Sequence, residues 1–479
     1  MTKELIIGRE YELSELRRCM ESDRSEFVIV YGRRRVGKTF LVDHFFGNTY
    51  DFTYVGGHNL TKAKQLRGFA KALKRAAKME RQPVFSSWDD AFDALEEYLE
   101  GLPSDKRKTI FIDEMPWIDT PKSEFIEALE AFWNGWAARR RDIMFVASGS
   151  ASSWMMDKLV DNPGGLHARI TNNIYVRPFT LKETEDYLKA KGFACDRYQT
   201  LQLYMVMGGI PFYLSLLNSR ETIIQNIDRL FFRRNGEMTT EFDELYSAIF
   251  SSAEKYITVV SLLYSNKEGM TFDQIAKATG IDGDRLTKLL KNLERCDFIT
   301  SFTQFGNKSK GTLYRLVDFY TLFYYKFVNG TDTKDELWWT HNYNSRSVES
   351  WMGRSFELVC MQHIPQMREA LGISGIATSA SSWKYTPKKG DTGEKGAQID
   401  LIIERGDHNI NLCEMKFSKA SYAITKDYEQ ALRERMALFK EKTKTTSSLQ
   451  NTFVTTFGVA NGIHHSIVDA EIVADDLFR

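Results

Sequence analysis

The stretch Gly32-Arg33-Arg34-Arg35-Val36-Gly37-Lys38-Thr39 has the residue types and the spacing to grip a polyphosphate. It fits G-x-x-x-x-G-K-[ST]. Gly32 and Gly37 let the backbone aim its N–H groups inward, Lys38 reaches the β- and γ-phosphates, and the Thr39 hydroxyl ligates Mg²⁺. About 75 positions later, Lys108-Thr109-Ile110-Phe111-Ile112-Asp113-Glu114 is an apolar run closed by two acids. Asp113 suits a divalent cation beside Thr39, and Glu114 suits the polarisation of an attacking water. A further apolar run, Ile143 to Ala147, ends in Ser148-Gly149-Ser150. A hydroxyl there would touch the γ-phosphate or the water, with Ser148 the candidate and Ser150 the alternate. Near the C-terminus, Gln398–Glu404 and Asn409–Lys416 flank Arg405-Gly406-Asp407-His408. Paired as a hairpin centred on Asp407, they set Asp400 opposite Glu414, with Lys416 on the face of Glu414. Two facing carboxylates repel unless a divalent cation lies between them, and Lys416 could then orient or help deprotonate a water.

These side chains need particular elements behind them. Phe27 to Tyr31 reads as a buried strand feeding the Gly-rich turn, and Thr39 to Phe46 as the start of a helix. From Lys64 to Lys78, Leu66, Phe69, Ala70, Leu73 and Ala77 recur at helical spacing, with Arg67, Lys71, Lys74, Arg75 and Lys78 mainly opposite. That ridge is either a solvated helix face or a track for a phosphate backbone. Residues 180–250 read as helices. Glu254–Tyr264, Thr271–Gly280 and Asp282–Cys296 then form helices around a Gly-containing turn, followed by strands Phe298–Phe302 and Thr312–Leu316 about a polar Gly/Asn/Lys turn. Arg285, Lys288 and Lys291 on the second of these helices could face DNA, or the unit could serve as an internal packing module.

Composition bounds the rest. With 479 residues the chain exceeds a single core, and 43% hydrophobic with 27% charged residues describes a globular protein. No apolar run has the length of a membrane span, and Met1 to Leu5 opens no signal peptide, so no membrane partner is expected. Five scattered cysteines without a C-x-x-C pair speak against structural zinc and disulfides and fit a reducing cytoplasm. The net charge is zero, so nucleic-acid binding would have to come from local patches.

Ile7-Gly8-Arg9-Glu10-Tyr11-Glu12-Leu13, the phosphate loop and Ile112-Asp113-Glu114-Met115-Pro116-Trp117 together resemble the archaeal-type ATPases, a prokaryotic branch of the AAA+/STAND class. The resemblance implies ATP as cofactor, with Gly8 and Arg9 beside the adenine. It also implies that Gly208-Gly209-Ile210-Pro211 on a helical lid closes over the nucleotide, Pro211 included. The family's Gly-Arg pair after the sensor strand is His167-Ala168-Arg169 here, making Arg169 the candidate for the arginine near the γ-phosphate, the alternative being a structural surface arginine. The C-terminal D…E-x-K pattern resembles the PD-(D/E)xK nuclease fold, with Ile399-Asp400 where that fold has Pro-Asp. In that fold a preceding helix adds an acid, and Glu357 of Gly353-Arg354-Ser355-Phe356-Glu357 takes that role. Glu357, Asp400 and Glu414 are then the expected metal ligands, and Lys416 the catalytic cation. The Lys-rich loop from Lys388 to Gly396 is either a phosphate contact or a mobile segment.

The expected architecture is α/β and multidomain. Residues 1–178 would form a P-loop AAA+-type ATPase core, 179–250 a helical lid, 251–335 a winged helix-turn-helix, and 336–479 an α/β restriction-endonuclease-like domain. The expected function is an ATPase whose nucleotide state controls the nuclease-like domain, acting on nucleic acid, DNA first, with Mg²⁺. The alternatives are a STAND-like switch that binds DNA or protein without cutting, and an effector whose nuclease acts only after ATP-dependent assembly. The sequence leaves a homo-oligomer open.

Overall fold

The computed structural model describes residues 6–103, 106–150, 152–161, 164–166, 169–250, 252–307, 311–330, 335–387 and 396–479. His167, Ala168, the residues 308–310 of the polar turn and residues 388–395 of the Lys-rich loop lie outside them. The chain divides into two compact units. The first comprises residues to Pro178 with 247–251 and 291–296; the second comprises 179–246, 252–290 and 297–479.

The first unit is built on five parallel strands: β1 (Glu26–Tyr31), β2 (Phe52–Val55), β3 (Lys108–Asp113), β4 (Ile143–Gly149) and β5 (Asn172–Tyr175), in the order β2-β3-β4-β1-β5. Phe27, Val28, Ile29 and Val30 are all fully buried, as a parallel strand covered on both faces must be. One consequence matters for the site. β4 lies between the phosphate-loop strand β1 and the acid strand β3, so Ser148 emerges between Lys38 and Asp113. The helix Lys62–Ala76 buries Leu66, Phe69, Ala70 and Leu73 and leaves Arg67, Lys71 and Arg75 exposed. Its buried Gln65 accepts from the Tyr54 hydroxyl (2.7 Å) and the Gly57 N–H (3.1 Å). It donates to the carbonyls of Gly57 and Trp117 (2.7 Å each), tying this helix to the turn after Asp113.

The second unit opens with helices between Leu181 and Ile249. Gly209 is required there: a Cβ would lie 1.9 Å from the Phe179 carbonyl oxygen, while the Phe179 N–H donates to the Gly209 carbonyl at 2.6 Å. Helices Phe272–Thr279 and Gly283–Arg295 are separated by a turn through Gly280, whose φ is 66°. A small antiparallel sheet follows, β6 (Met270–Thr271), β7 (Ile299–Phe302) and β8 (Leu313–Leu316), ordered β6-β8-β7. After the helix Arg346–Gln362 comes a mixed sheet of β9 (Thr378–Tyr385), β10 (Ala397–Arg405), β11 (Asn409–Lys416), β12 (Ser448–Thr455) and β13 (Ala470–Val473), ordered β13-β12-β11-β10-β9. The helix Lys426–Thr443 packs Phe439 against Trp383, Ile402 and Ile410.

β9 and β10 slip register between Ile399 opposite Trp383 and Ile402 opposite Ser381. Asp400 and Leu401 together face the single residue Ser382, which is a β-bulge placed on the candidate acid. The chain leaving β7 joins this edge: Phe305 N–H donates to the Ser382 carbonyl (2.7 Å), and Ser382 N–H donates to the Thr303 carbonyl (3.3 Å). Cys19, Cys195, Cys360 and Cys413 carry free thiols, and among the described residues no helix is long and apolar enough to cross a membrane.

His363 closes the helix Arg346–Gln362 and is 2% exposed. Its Nδ1 is 2.8 Å from the Val359 carbonyl and its Nε2 accepts the Leu181 N–H at 3.2 Å, which defines a neutral tautomer. Burial pushes its pKa down to about 4. The unfolded state therefore binds the extra proton, and stability present above pH 6.5 is lost as pH falls toward 4. By pH 5 the loss should reach about 2 kcal/mol. Denaturant titrations at pH 7.5 and 5 should show it, and His363→Gln, which cannot titrate, should flatten the difference. An unchanged pH dependence in that variant would reject the assignment.

Candidate nucleotide site and C-terminal acid cluster

The helix Lys38–Phe46 starts after Gly37, whose φ of 88° puts it in the left-handed region and which offers no side-chain cap. The N–H groups of the first turn therefore point, with the positive end of the helix dipole, into the loop. Gly32 is equally constrained, since a Cβ there would lie 2.3 Å from the Val176 carbonyl oxygen. Lys38 is 5% exposed and donates to the carbonyls of Gly32 (3.1 Å) and Arg33 (3.0 Å). Burial draws its ammonium below the ordinary lysine value, against the upward pull of Glu114 and Asp113. A phosphate in the loop would give that ammonium a full counter-charge.

The acids meet this loop directly. Thr39 Oγ1 donates to Asp113 Oδ2 at 2.9 Å, the pairing expected of two Mg²⁺ ligands. Ser148 donates to Asp113 Oδ1, and the Glu114 N–H donates to the same oxygen at 3.0 Å. Ser148 thus hydrogen-bonds the acid; the sequence expectation for it is contact with the γ-phosphate or the water. Glu114 has φ 47°, a left-handed conformation unusual for a residue other than glycine. Its Oε2 accepts from the Ser150 N–H (3.1 Å) and hydroxyl (2.8 Å), while Oε1 has no partner among the described residues. The alternate serine therefore anchors the candidate base and leaves one oxygen to face a water.

The N-terminal motif sits against the same loop. Gly8 and Arg9 have φ 62° and 70°, and the Arg9 guanidinium donates to the Val36 carbonyl (3.1 Å) and pairs with Glu12 (3.4 Å). The three loop arginines differ in fate. Arg33 is 2% exposed, Arg34 lies 6.0 Å from the Trp117 ring, and Arg35 takes a φ of 75°. Arg169 is exposed, and Pro211 begins the helix Pro211–Ser215 of the second unit.

Residues 6–217 match the family described as an ATPase domain predominantly from Archaea. That stretch is similar to this ATPase family, and the match takes in the phosphate loop, Asp113 and Glu114. Over 404 residues the chain is 23% identical to an uncharacterized protein of Methanocaldococcus jannaschii, covering 83% of this chain and 84% of that one. A 44-residue segment is 41% identical to an uncharacterized ATP-binding protein of the same organism, which is 9% of this chain and 75% of that protein. The fold is similar to a Walker-type ATPase of Pyrococcus abyssi, at 17% identity and a TM-score of 0.46, over 66% of this chain and 95% of that one. The residues of the ATPase domain that would hold Mg²⁺ are Thr39 and Asp113, and their geometry fits it.

The C-terminal cluster departs from the sequence expectation. The β10–β11 ladder runs from Glu404 opposite Ile410 to Leu401 opposite Cys413, and its next step sets Asp400 across from Glu414. Yet Glu414 is held by cations of the protein: Lys416 at 2.6 Å and Arg435, with the Tyr428 hydroxyl as a third partner. Burial raises its pKa, but Arg435 and Lys416 outweigh this and leave the carboxyl below its ordinary value. Burial pulls the Lys416 pKa down, but Glu414 outweighs it and holds the ammonium above its ordinary value. Asp400 accepts from Gln398 Nε2 at 2.6 Å. Burial and the neighbouring Asp400 push Glu357 up to about 7. The structure thus brings Glu357 toward Asp400, while the repulsion foreseen between Asp400 and Glu414 is relieved by Arg435 and Lys416. Among the described residues no three His, Cys, Asp or Glu side chains form a group that could hold a metal ion. Arg435 and Tyr428 escaped the sequence reading because both come from a helix beyond the E-x-K strand, with no motif of its own.

Ser150→Ala should lower ATP turnover about tenfold while the Kd for ATP stays within about twofold, because it frees Glu114 without touching the phosphate loop. Lys38→Ala should abolish binding. Equal loss of binding in Ser150→Ala would show that the serine supports the fold instead.

Proposed function

We propose that this protein is an ATP-binding ATPase whose nucleotide state controls a C-terminal nuclease-like domain acting on DNA. The observation that carries the ATPase reading is Asp113, which accepts from both Thr39 and Ser148 beside the phosphate loop. In this reading the Gly37 turn and Lys38 bind the phosphates, and Thr39 with Asp113 would hold Mg²⁺. The ion, when bound, supplies charge neutralisation at the β- and γ-phosphates. Glu114, fixed through Oε2 by Ser150, takes the proton of the attacking water at Oε1. Ser148 keeps Asp113 in register with Thr39. Gly8 and Arg9 flank the base, Arg169 is the arginine near the γ-phosphate, and Pro211 belongs to the lid.

Residues 179–250 serve in this proposal as the helical lid, and residues 251–335 as a winged helix. Residues 336–479 are the nuclease-like domain, with Glu357 and Asp400 as its candidate acids, Glu414 held by Lys416 and Arg435, and Lys416 as the orienting cation. A second reading, a nucleotide switch that binds nucleic acid without cutting it, is favoured by one feature: Glu414 already has Arg435, Lys416 and Tyr428 as partners. A divalent ion would have to displace at least one of them.

Two measurements test these roles. Glu114→Gln should bind ATP normally and hydrolyse it about a hundredfold more slowly, in the range of a lost general base. Incubation with plasmid, linear and single-stranded DNA, with Mg²⁺ or Mn²⁺ and with or without ATP, should give cleavage by the wild-type chain and none by Asp400→Ala. No cleavage by wild type under any of these conditions selects the non-cleaving switch.

A further inference from the structure

Within the second unit a cavity of about 460 Å³ has Asp400 and Glu357 in its wall, and four cations line it: Lys267, Arg315, Lys326 and Arg354. They converge from separate elements. Lys267 follows the helix Ala253–Ser265, Arg315 lies on β8, and Arg354 projects from the helix Arg346–Gln362. Among the described residues none of the four forms an ion pair, although this chain pairs cations freely elsewhere.

Arg315 is the most exacting of them. It is 9% exposed, its Nε–H has no acceptor, and its one polar contact is the Met361 sulfur at 3.4 Å. Its guanidinium lies 4.9 Å from the Phe302 ring. A buried guanidinium without a carboxylate is costly, and the cost is recovered when an anion with several acceptor oxygens reaches it. Asp400, Glu357 and Glu268 support its charge only from a distance, none of them within ion-pair reach, and Glu268 is paired with Lys384. Like charges crowd the rim too, since burial first and then Arg354 and Lys326 pull the Lys267 pKa down. The first turns of the helix Arg346–Gln362 add Ser347 and Ser350 and the positive end of its dipole.

The size and the aromatic walls narrow the ligand. The volume falls in the range of about 300–1,000 Å³ typical of small-ligand clefts, room for an unpaired nucleotide but not for a base pair. Tyr264, which stacks on Tyr325 at 5.0 Å, and Trp351 stand in the wall, and a cationic groove with π faces is the recurring design for unpaired strands. Resting on the nuclease-like reading above, we propose that this cleft binds the phosphodiester backbone of single-stranded nucleic acid through Arg315, Arg354, Lys326 and Lys267 and delivers it to Asp400.

The test uses the full chain in EDTA, so that strands are bound but not cut. Anisotropy is read on labelled oligo-dT, oligo-rU and a duplex, each about 20 units long. Lys326→Ala/Arg354→Ala changes two exposed side chains and should leave the melting temperature unchanged. It should weaken single-strand binding at least about tenfold and lower the salt slope by about 1.4, or about 0.7 for each phosphate deprived of its cation. Asp400→Ala should bind at least as tightly as wild type, because it removes a negative charge from the wall. The dT and rU arms tell which backbone is preferred. Binding within twofold of wild type in the double variant overturns the proposal. So does a loss seen only with Arg67→Ala/Lys71→Ala on the helix Lys62–Ala76, or binding confined to the duplex. If the double variant loses binding while the wild-type chain never cuts DNA, the cleft stands and the nuclease reading falls.

Discussion

The Asp113 carboxylate is the constraint around which the first unit is arranged. It is 5% exposed, and a charge so buried must be matched by donors. The donors come from three directions: Thr39 on the phosphate-loop helix, Ser148 at the end of β4, and the N–H of Glu114. Satisfying one carboxylate thus fixes the distance between the loop and the acid strand and sets the central strand between them. It also fixes the backbone that holds Glu114 in its left-handed conformation, and from there the reach of Glu114 to Ser150.

The two acidic clusters of this chain solve the same electrostatic problem in opposite ways. Around Asp113 the donors are neutral hydroxyls and a peptide N–H, which stabilise the charge without cancelling it. Negative charge remains there for a divalent cation. Around Glu414 the partners are Lys416 and Arg435, which cancel the charge outright. The adjacent Asp400 and Glu357 lack such ion pairs and lie in the wall of a cleft whose four cations form no ion pair among the described residues. The C-terminal unit therefore holds acids and cations in one space without closing them into ion pairs, which leaves the cations open to a phosphate.

Local signals were legible in the sequence where local chemistry dictates structure. The Gly-rich turn, the apolar run into Asp113-Glu114 and the hairpin centred on Asp407 each declare themselves within about ten residues, and the structure has β1, β3 and the β10–β11 pair at those positions. What distant chain segments decide was not legible. The sequence offered Ser148 and Ser150 as candidates for one role; only the strand order, with β4 between β1 and β3, gives each its own acid. The bulge at Asp400 depends on a pairing with β9, whose register no motif states. Arg435 and Arg315 approach the acids from elements far along the chain or on the other side of it. Periodicity marks such residues as ordinary surface or strand positions.

The join between the β7 extension and β9 has a mechanical meaning. Thr303 and Phe305 exchange backbone hydrogen bonds with Ser382, the residue that faces the bulge. Backbone bonds tolerate little stretch, so the small three-stranded sheet and the strand beside Asp400 form a stiff linkage with little slack. Any shift of the small sheet away from β9 would have to break these two bonds, and the bulge that carries Asp400 lies directly across from the residue they share.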